Sequence, residues 1–392
     1  MNWAAIIILT LQVLVSLHFL FPLVLYIKHS LLKKKVAVRD AFPQNDYAII
    51  VTAYEQTAMI HNVVESLLNL DYTNYLIYVI ADNCDISNLE FVDPRVQVFR
   101  PEQVLGNNIQ SHFYAIGKFK RPHDLLTIID SDNLVHPQYL NELNMYFNSG
   151  YSAVQGVRKA KNLNSHYACL DEAGDIYYRF VDRKLLFNAG SSASLAGSGM
   201  AFKVSLYLDC LQHLKMEGAG FDKLLQYQII ARGHRIAFAE LAIVYDEKTA
   251  KSDQLVKQRA RWINSWFKFS TLGVKLTWRG FTTLNLNQFL FGMMLMRPPL
   301  FILFLAFSIC FLTGLIFYRS LAPIWVLIFS SFLFVFWQAL RYFKADPKVY
   351  DSLRSYPKFF YFQILALSKA SKANQLSVAT KHEHQSSIGD IK

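Results

Sequence analysis

Leu125-Leu-Thr-Ile-Ile-Asp-Ser-Asp-Asn133 decides how this chain is read. The uncharged run at its start, rich in β-branched side chains, has the character of a short buried strand, and two carboxylates follow it at once. The same plan occurs upstream, where Leu76-Ile-Tyr-Val-Ile-Ala81 runs directly into Asp82-Asn-Cys-Asp85. Taken singly, an Asp or Asn in such a place starts a turn or caps a helix. A pair spaced i, i+2 behind a buried strand is harder to dismiss. Two carboxylates with no basic neighbour in sequence repel each other, and a divalent cation relieves them. Hard oxygen donors in small number suit magnesium or manganese, with phosphate oxygens completing the shell.

Around these two runs the pattern alternates. Residues 47–53 (Tyr-Ala-Ile-Ile-Val-Thr-Ala) form another β-rich run, and 96–99 a shorter one. Helical periodicity occupies 58–70, 108–118 and 137–148 between and after them. Strand–helix alternation predicts an α/β domain with a mostly parallel sheet flanked by helices, and ligands then bind beyond the carboxyl ends of the strands. The domain is expected over residues 39–270.

The ends are different. Of 392 residues, 53% are apolar and only 18% charged, which excludes a disordered chain and is too apolar for an ordinary soluble enzyme. Residues 3–27 carry no charge and are long enough to cross a bilayer core of roughly 30 Å. Lys28, Lys33, Lys34 and Lys35 follow rather than precede this run, so it reads as an uncleaved anchor in domain 1–38, with its far side cytoplasmic. Residues 298–318 and 321–340 read as an out-and-back hairpin within 297–345, flanked by Arg297 and by Arg341, Lys344 and Lys348. Residues 281–296, within a 271–296 segment, and 356–367, within 346–392, are shorter and aromatic. They are expected to lie in the membrane interface, against lipid. Three spans and a cytoplasmic active site in a multi-pass protein of the cell membrane are therefore expected. The net charge of +11 is concentrated near these segments, and no nucleic-acid recognition motif accompanies it. Four scattered cysteines without a CxxC pair fit a reducing compartment. His382 and His384 lack a third ligand and read as part of a polar tail.

Two further stretches carry chemistry: Leu195-Ala-Gly-Ser-Gly-Met-Ala-Phe202 and Gln258-Arg-Ala-Arg-Trp262. With the two acidic motifs, in this order and between membrane anchors, they resemble the catalytic domain of glycosyltransferase family 2. The resemblance is to the membrane-anchored branch that includes cellulose synthases, hyaluronan synthases and bacterial N-acetylglucosaminyltransferases, and it covers about 47–269. It implies a GT-A fold and an inverting, nucleotide-sugar-dependent enzyme acting on a saccharide or lipid-linked acceptor, in glycan assembly with partner subunits for export. Carried over by position, Asp82 would contact the nucleoside, and Asp132 would ligate the divalent cation (Mg or Mn) with Asp130 supporting it on the donor side. Gly197 and Gly199 would lie on the acceptor side. Gln258 and Trp262 would close over the acceptor, and Arg261 over the diphosphate. The base would be Asp222, eleven residues before Gly233.

The chain departs from the family at three places, one of them near Gly106, where the lysine often found is absent and Asn107 and Asn108 stand. Phe221 stands where a glutamate precedes the base, and Thr52-Ala-Tyr-Glu-Gln56 lacks the usual proline. Those departures favour the alternative of a non-catalytic membrane subunit or nucleotide-sugar sensor. The retained acids favour the enzyme.

Overall fold

The computed structural model describes residues 3–31, 43–214, 220–317, 319–373 and 388–390. The basic cluster Lys33–Lys35 and the pair His382 and His384 lie outside the described residues.

Eight strands are described: β1 (Tyr47–Tyr54), β2 (Tyr75–Asp82), β3 (Val96–Phe99), β4 (Leu125–Asp130), β5 (Leu134–Val135), β6 (Ala153–Ala160), β7 (Met200–Lys203) and β8 (Ile236–Asp246). They form one sheet in the order β3-β2-β1-β4-β7-β6-β8-β5. Ala48, Ile49, Ile50 and Val51 of β1 are fully buried, as a strand covered on both faces must be. The β3-β2-β1-β4 half is parallel throughout. β7 then runs antiparallel between β4 and β6, and β5 antiparallel to β8, so the sheet is mixed where the sequence pattern predicts a mostly parallel one. Helices Ile60–Leu68, Asn108–Gly117 and Tyr139–Asn148 fall within the predicted helical stretches.

Three helices are long and apolar enough to cross a membrane: Ile6–Leu31, Leu300–Phe317 and Arg319–Tyr342. They pack on aromatic rings, with Phe19 lying 6.0, 5.4 and 5.9 Å from Phe304, Phe307 and Phe332. Helix His166–Tyr178 joins them to the sheet domain by running into a π-helical turn, Arg179–Leu185. There Phe180 meets Tyr342 at 5.5 Å, and Asp182 pairs with Arg297. Arg297 is buried and also covers the rings of Tyr177 and Tyr178, each at 5.8 Å. The cation expected to flank a span thus bolts that span to the domain.

The stretch 281–296 divides differently from the sequence expectation. Phe281 belongs to a long helix, Ser252–Thr282, and a turn separates it from helix Leu286–Met296. The polar residues that interrupt the apolar run hold the shorter helix to the domain. Asn287 Nδ2 donates to the His234 carbonyl at 3.2 Å, and Gln288 Nε2 to that of Ile230 at 3.1 Å. Helix Leu286–Met296 is therefore fastened to protein by its polar side chains.

Candidate active site

Register places the acids. Thr52 of β1 is level with Ile80 on one side and Asp130 on the other, and Tyr54 is level with Asp82. Asp82 and Asp130 thus end the strands on either side of β1 at the same rim, about 10 Å apart laterally at ~4.8 Å per strand. Asp82 is buried, and both its carboxylate oxygens accept backbone N–H groups, Leu105 at 2.9 Å and Gly106 at 2.7 Å. It fixes the turn that leads into helix Asn108–Gly117, whose first turn Asn107 caps through Ile109 N at 2.8 Å.

Ser198 ties the Asp130–Asn133 turn to the glycine loop. Its hydroxyl oxygen accepts from Asp130 N at 3.1 Å and from Asn133 Nδ2 at 2.7 Å. Gly197 and Gly199 flank it with φ of +86° and +67°, and that left-handed backbone folds the loop back toward the rim. Buried Gln155 donates Nε2 to the carbonyls of Ser198 and Gly199, at 3.1 and 3.2 Å, and accepts from Ala196 N at 2.9 Å. Arg158 donates to the Ala196 carbonyl at 2.7 Å, and Lys161 Nζ to that of Asp132 at 2.8 Å. On the far side, Leu195 N donates to Gln226 Oε1 at 3.0 Å.

Gln226 is where the loop meets Asp222. The two stand four residues apart on helix Phe221–Ala231 and share a face, so Asp222 lies one turn from the residue that grips the loop. Lys223 Nζ is 3.9 Å from Asp222 Oδ2. Phe221 stacks edge-on against His112 at 5.3 Å, and His112 Nδ1 pairs with the Tyr207 hydroxyl at 2.7 Å. Burial drives the His112 pKa down to about 3, so the ring stays neutral. The aromatic residue before Asp222 therefore has a packing partner that a glutamate would not suit.

Gly220 begins this helix at φ +96°. A Cβ there would stand 2.8 Å from Phe269 Cε2 and 3.2 Å from Ser265 Oγ, on helix Ser252–Thr282. Arg261 lies one turn before Ser265 on the same face, so it too approaches the start of the Asp222 helix. Gln258 Oε1 accepts from Thr249 Oγ1 at 3.2 Å. Trp262 is 47% exposed, with the Arg259 guanidinium over its ring at 4.3 Å. Gly220→Ala should destabilise the fold by about 1–2 kcal/mol, from the left-handed conformation alone. It should also lower turnover by displacing Asp222, which a thermal melt and a kcat measurement on one preparation would show.

Beneath the loop lies a buried charge network with little signature in the sequence beyond a charged stripe at 172, 175, 179 and 183. Lys248 Nζ reaches Glu172 at 3.2 Å, Asp175 at 2.9 Å and Asp246 at 3.1 Å. Arg158 pairs with Asp246, and Arg179 with Glu172 and Asp175, both at 3.2 Å. Burial alone would lower the Lys248 pKa, but the three carboxylates together raise it. Arg158 belongs to both systems, with one nitrogen on Asp246 and another on the glycine loop.

Among the described residues no group of three or more His, Cys, Asp or Glu side chains is placed to enclose a metal ion. Asp130 and Asp132 stand two residues apart at the end of β4, and a pair of carboxylates brings only hard oxygens. Such a set suits a cation that takes most of its shell from phosphate and water.

The family described as glycosyltransferase-like family 2 matches residues 43–265. No curated protein sequence matches the chain. Among solved structures, the mannosyltransferase PcManGT from Pyrobaculum calidifontis, in complex with GDP-Man and Mn2+, superposes with a TM-score of 0.57 at 13% identity. The match covers 92% of this chain and 98% of that one. TarS residues 1–349 from S. aureus give 0.41 at 16% identity, covering 84% and 88%. A second S. aureus TarS structure gives 0.39 at 12%, covering 63% and 55%. Matched over more than half its length and sharing the GT-A fold, the chain belongs to glycosyltransferase-like family 2 and is a glycosyltransferase.

Proposed function

We infer that the chain moves a sugar from a nucleoside diphosphate donor, a UDP-sugar, to a saccharide or lipid-linked acceptor, with inversion, at the cytoplasmic face of the membrane. The product belongs to a polysaccharide or cell-envelope glycan. The observation that carries this reading is the glycine loop. It is bonded to the Asp130–Asn133 turn at Ser198 and to the Asp222 helix at Leu195, a link that supports reading Asp130, Asp132 and Asp222 as parts of one site.

Asp222 takes the proton of the acceptor hydroxyl as that oxygen attacks the sugar carbon. Attack on the face opposite the leaving diphosphate inverts the carbon. Asp82 holds the turn at Leu105 and Gly106 beside which the nucleoside sits. Arg261 meets the diphosphate, which gathers negative charge as it leaves, so a guanidinium stabilises the transition state more than the ground state. Partial burial lowers the Arg261 pKa, and the group remains a cation because arginine starts so high. Asp132, with Asp130, would hold a magnesium or manganese ion, which supplies further charge neutralisation at the diphosphate. Gln258 and Trp262 border the acceptor, the indole offering a flat apolar face to a pyranose ring.

The test is nucleoside diphosphate release by detergent-purified protein across a panel of sugar nucleotides, with and without a chelator. Release should require divalent cation and should vanish in Asp132→Ala. Transfer that survives both Asp132→Ala and Asp222→Ala would refute the assignment. Donor binding without turnover on any acceptor would favour a nucleotide-sugar sensor instead.

A further inference from the structure

Strand β6 runs in the same direction as β4, because β7 between them is antiparallel to both. The residues that follow β6 therefore emerge at the rim where Asp130 ends β4. The chain is clamped as it does so. Lys161 N donates to the Asp246 carbonyl at 2.9 Å. Buried Asn162 donates Nδ2 to the Lys248 carbonyl at 3.0 Å and accepts from Lys248 N at 2.7 Å. The side chains of Asp246 and Lys248 pair in the buried charge network at 3.1 Å. That network thus has a use at the cleft, since it fixes the backbone of 161–162 to the end of β8.

Two cations reach the neighbourhood of the Asp130–Asn133 turn from this strand, and they are spent differently. Arg158 pairs with Asp246 and donates to the Ala196 carbonyl. Lys161 extends to the turn itself and donates from Nζ to the Asp132 carbonyl at 2.8 Å. Among the described residues Lys161 forms no ion pair, although the same turn holds two carboxylates. A backbone carbonyl is satisfied by any neutral donor, and ordering a lysine side chain costs up to about 2 kcal/mol of rotamer entropy. An ammonium has three N–H donors, so two of them and the charge itself are left over.

We propose that Lys161 is a second cation at the donor site, one that donates to a phosphate oxygen of the nucleoside diphosphate. This rests on reading Asp130 and Asp132 as the diphosphate end of the cleft. A diphosphate is the partner that fits, because it brings negative charge to this spot while leaving both carboxylates to a metal ion. A compact ammonium accepts phosphate oxygens from several directions, so it can stay on the group as the bond to the sugar lengthens. The contact strengthens as the diphosphate gains charge, which lowers the barrier more than it deepens binding of the intact donor.

The test is calorimetric binding of UDP, GDP, ADP and CDP to the detergent-purified full chain in saturating Mn2+. Lys161→Gln keeps an N–H for the Asp132 carbonyl and loses the charge. It should weaken whichever diphosphate the wild type binds by about 10–100-fold, the worth of a hydrogen bond to a charged group. Lys161→Arg should keep most of the affinity. Lys161→Met takes the place of the glutamine variant if a thermal melt shows that the latter does not fold. Wild-type affinity in the neutral variant would overturn the proposal, as would an arginine variant as weak as the neutral one. A deficit that closes as Mn2+ is raised would overturn it too, because Lys161 would then only support Asp132 as a metal ligand. Binding needs no turnover, so the two readings fail separately. A wild type that binds none of the four diphosphates removes the donor site and this proposal together, whereas one that binds a diphosphate indifferently to Lys161 removes this proposal alone.

Discussion

Asp222→Asn is expected to lower kcat for sugar transfer by about 10²–10⁴-fold while leaving donor affinity near its wild-type value. The amide is nearly isosteric with the carboxylate and cannot accept the acceptor's proton. Among the described residues the ion-pair partner of Asp222 is Lys223, whose side chain is 3.9 Å away and partly exposed. The loop contact one turn later, Gln226 to Leu195 N, is untouched by the change. Kinetic constants for purified variant and wild type, with donor binding measured by calorimetry, separate the outcomes. A fall in donor affinity with kcat preserved would mean that Asp222 holds the donor instead.

Lys248→Met should cost about 3–5 kcal/mol, because it leaves two buried carboxylates, Glu172 and Asp246, and the half-buried Asp175 without the cation they share. The effect has a pH signature. Burial would raise Asp175, but Lys248, Arg179 and Arg183 hold it well below the ordinary carboxylate range, and Arg158 and Lys248 lower Asp246 against burial in the same way. A depressed folded-state pKa stabilises the fold above roughly pH 4 and is lost as pH falls through the folded value. Burial pushes Glu172 the opposite way, which blunts the acid loss. Melting of wild type should therefore weaken below about pH 4. The methionine variant should melt lower at neutral pH and lose less on acidification. An unchanged neutral-pH melt would show that the arginines alone neutralise the cluster.

The first half of the sheet and its acids were legible because each signal is local. A buried strand announces itself as an uncharged run, and Asp82 and Asp130 end such runs. What register adds is that both acids border the same strand, β1. The second half was less legible. Arg158 meets Asp246 and Lys248 meets Glu172 across spans of chain that no periodicity connects, so ordinary surface-looking charges turned out to be buried. Phe221 looked like a defect in a catalytic motif until His112, far upstream, supplied its neighbour. Arg297 looked like a free charge marking the inner side of the membrane, and it is spent on Asp182.

The unbroken helix Ser252–Thr282 has a consequence for how substrates are found. Its 31 residues make a rod of about 46 Å with no proline to bend it. Its far half packs on helix Leu286–Met296, which leads through Arg297 into the apolar helix Leu300–Phe317, so a membrane crossed by that helix would hold Arg261 at a set level relative to the bilayer. An acceptor tethered to lipid then searches in two dimensions, at an altitude that already matches the cleft. A free oligosaccharide must find the same opening from three. Between acceptors of equal intrinsic affinity, the rod would favour the tethered one through encounter frequency alone.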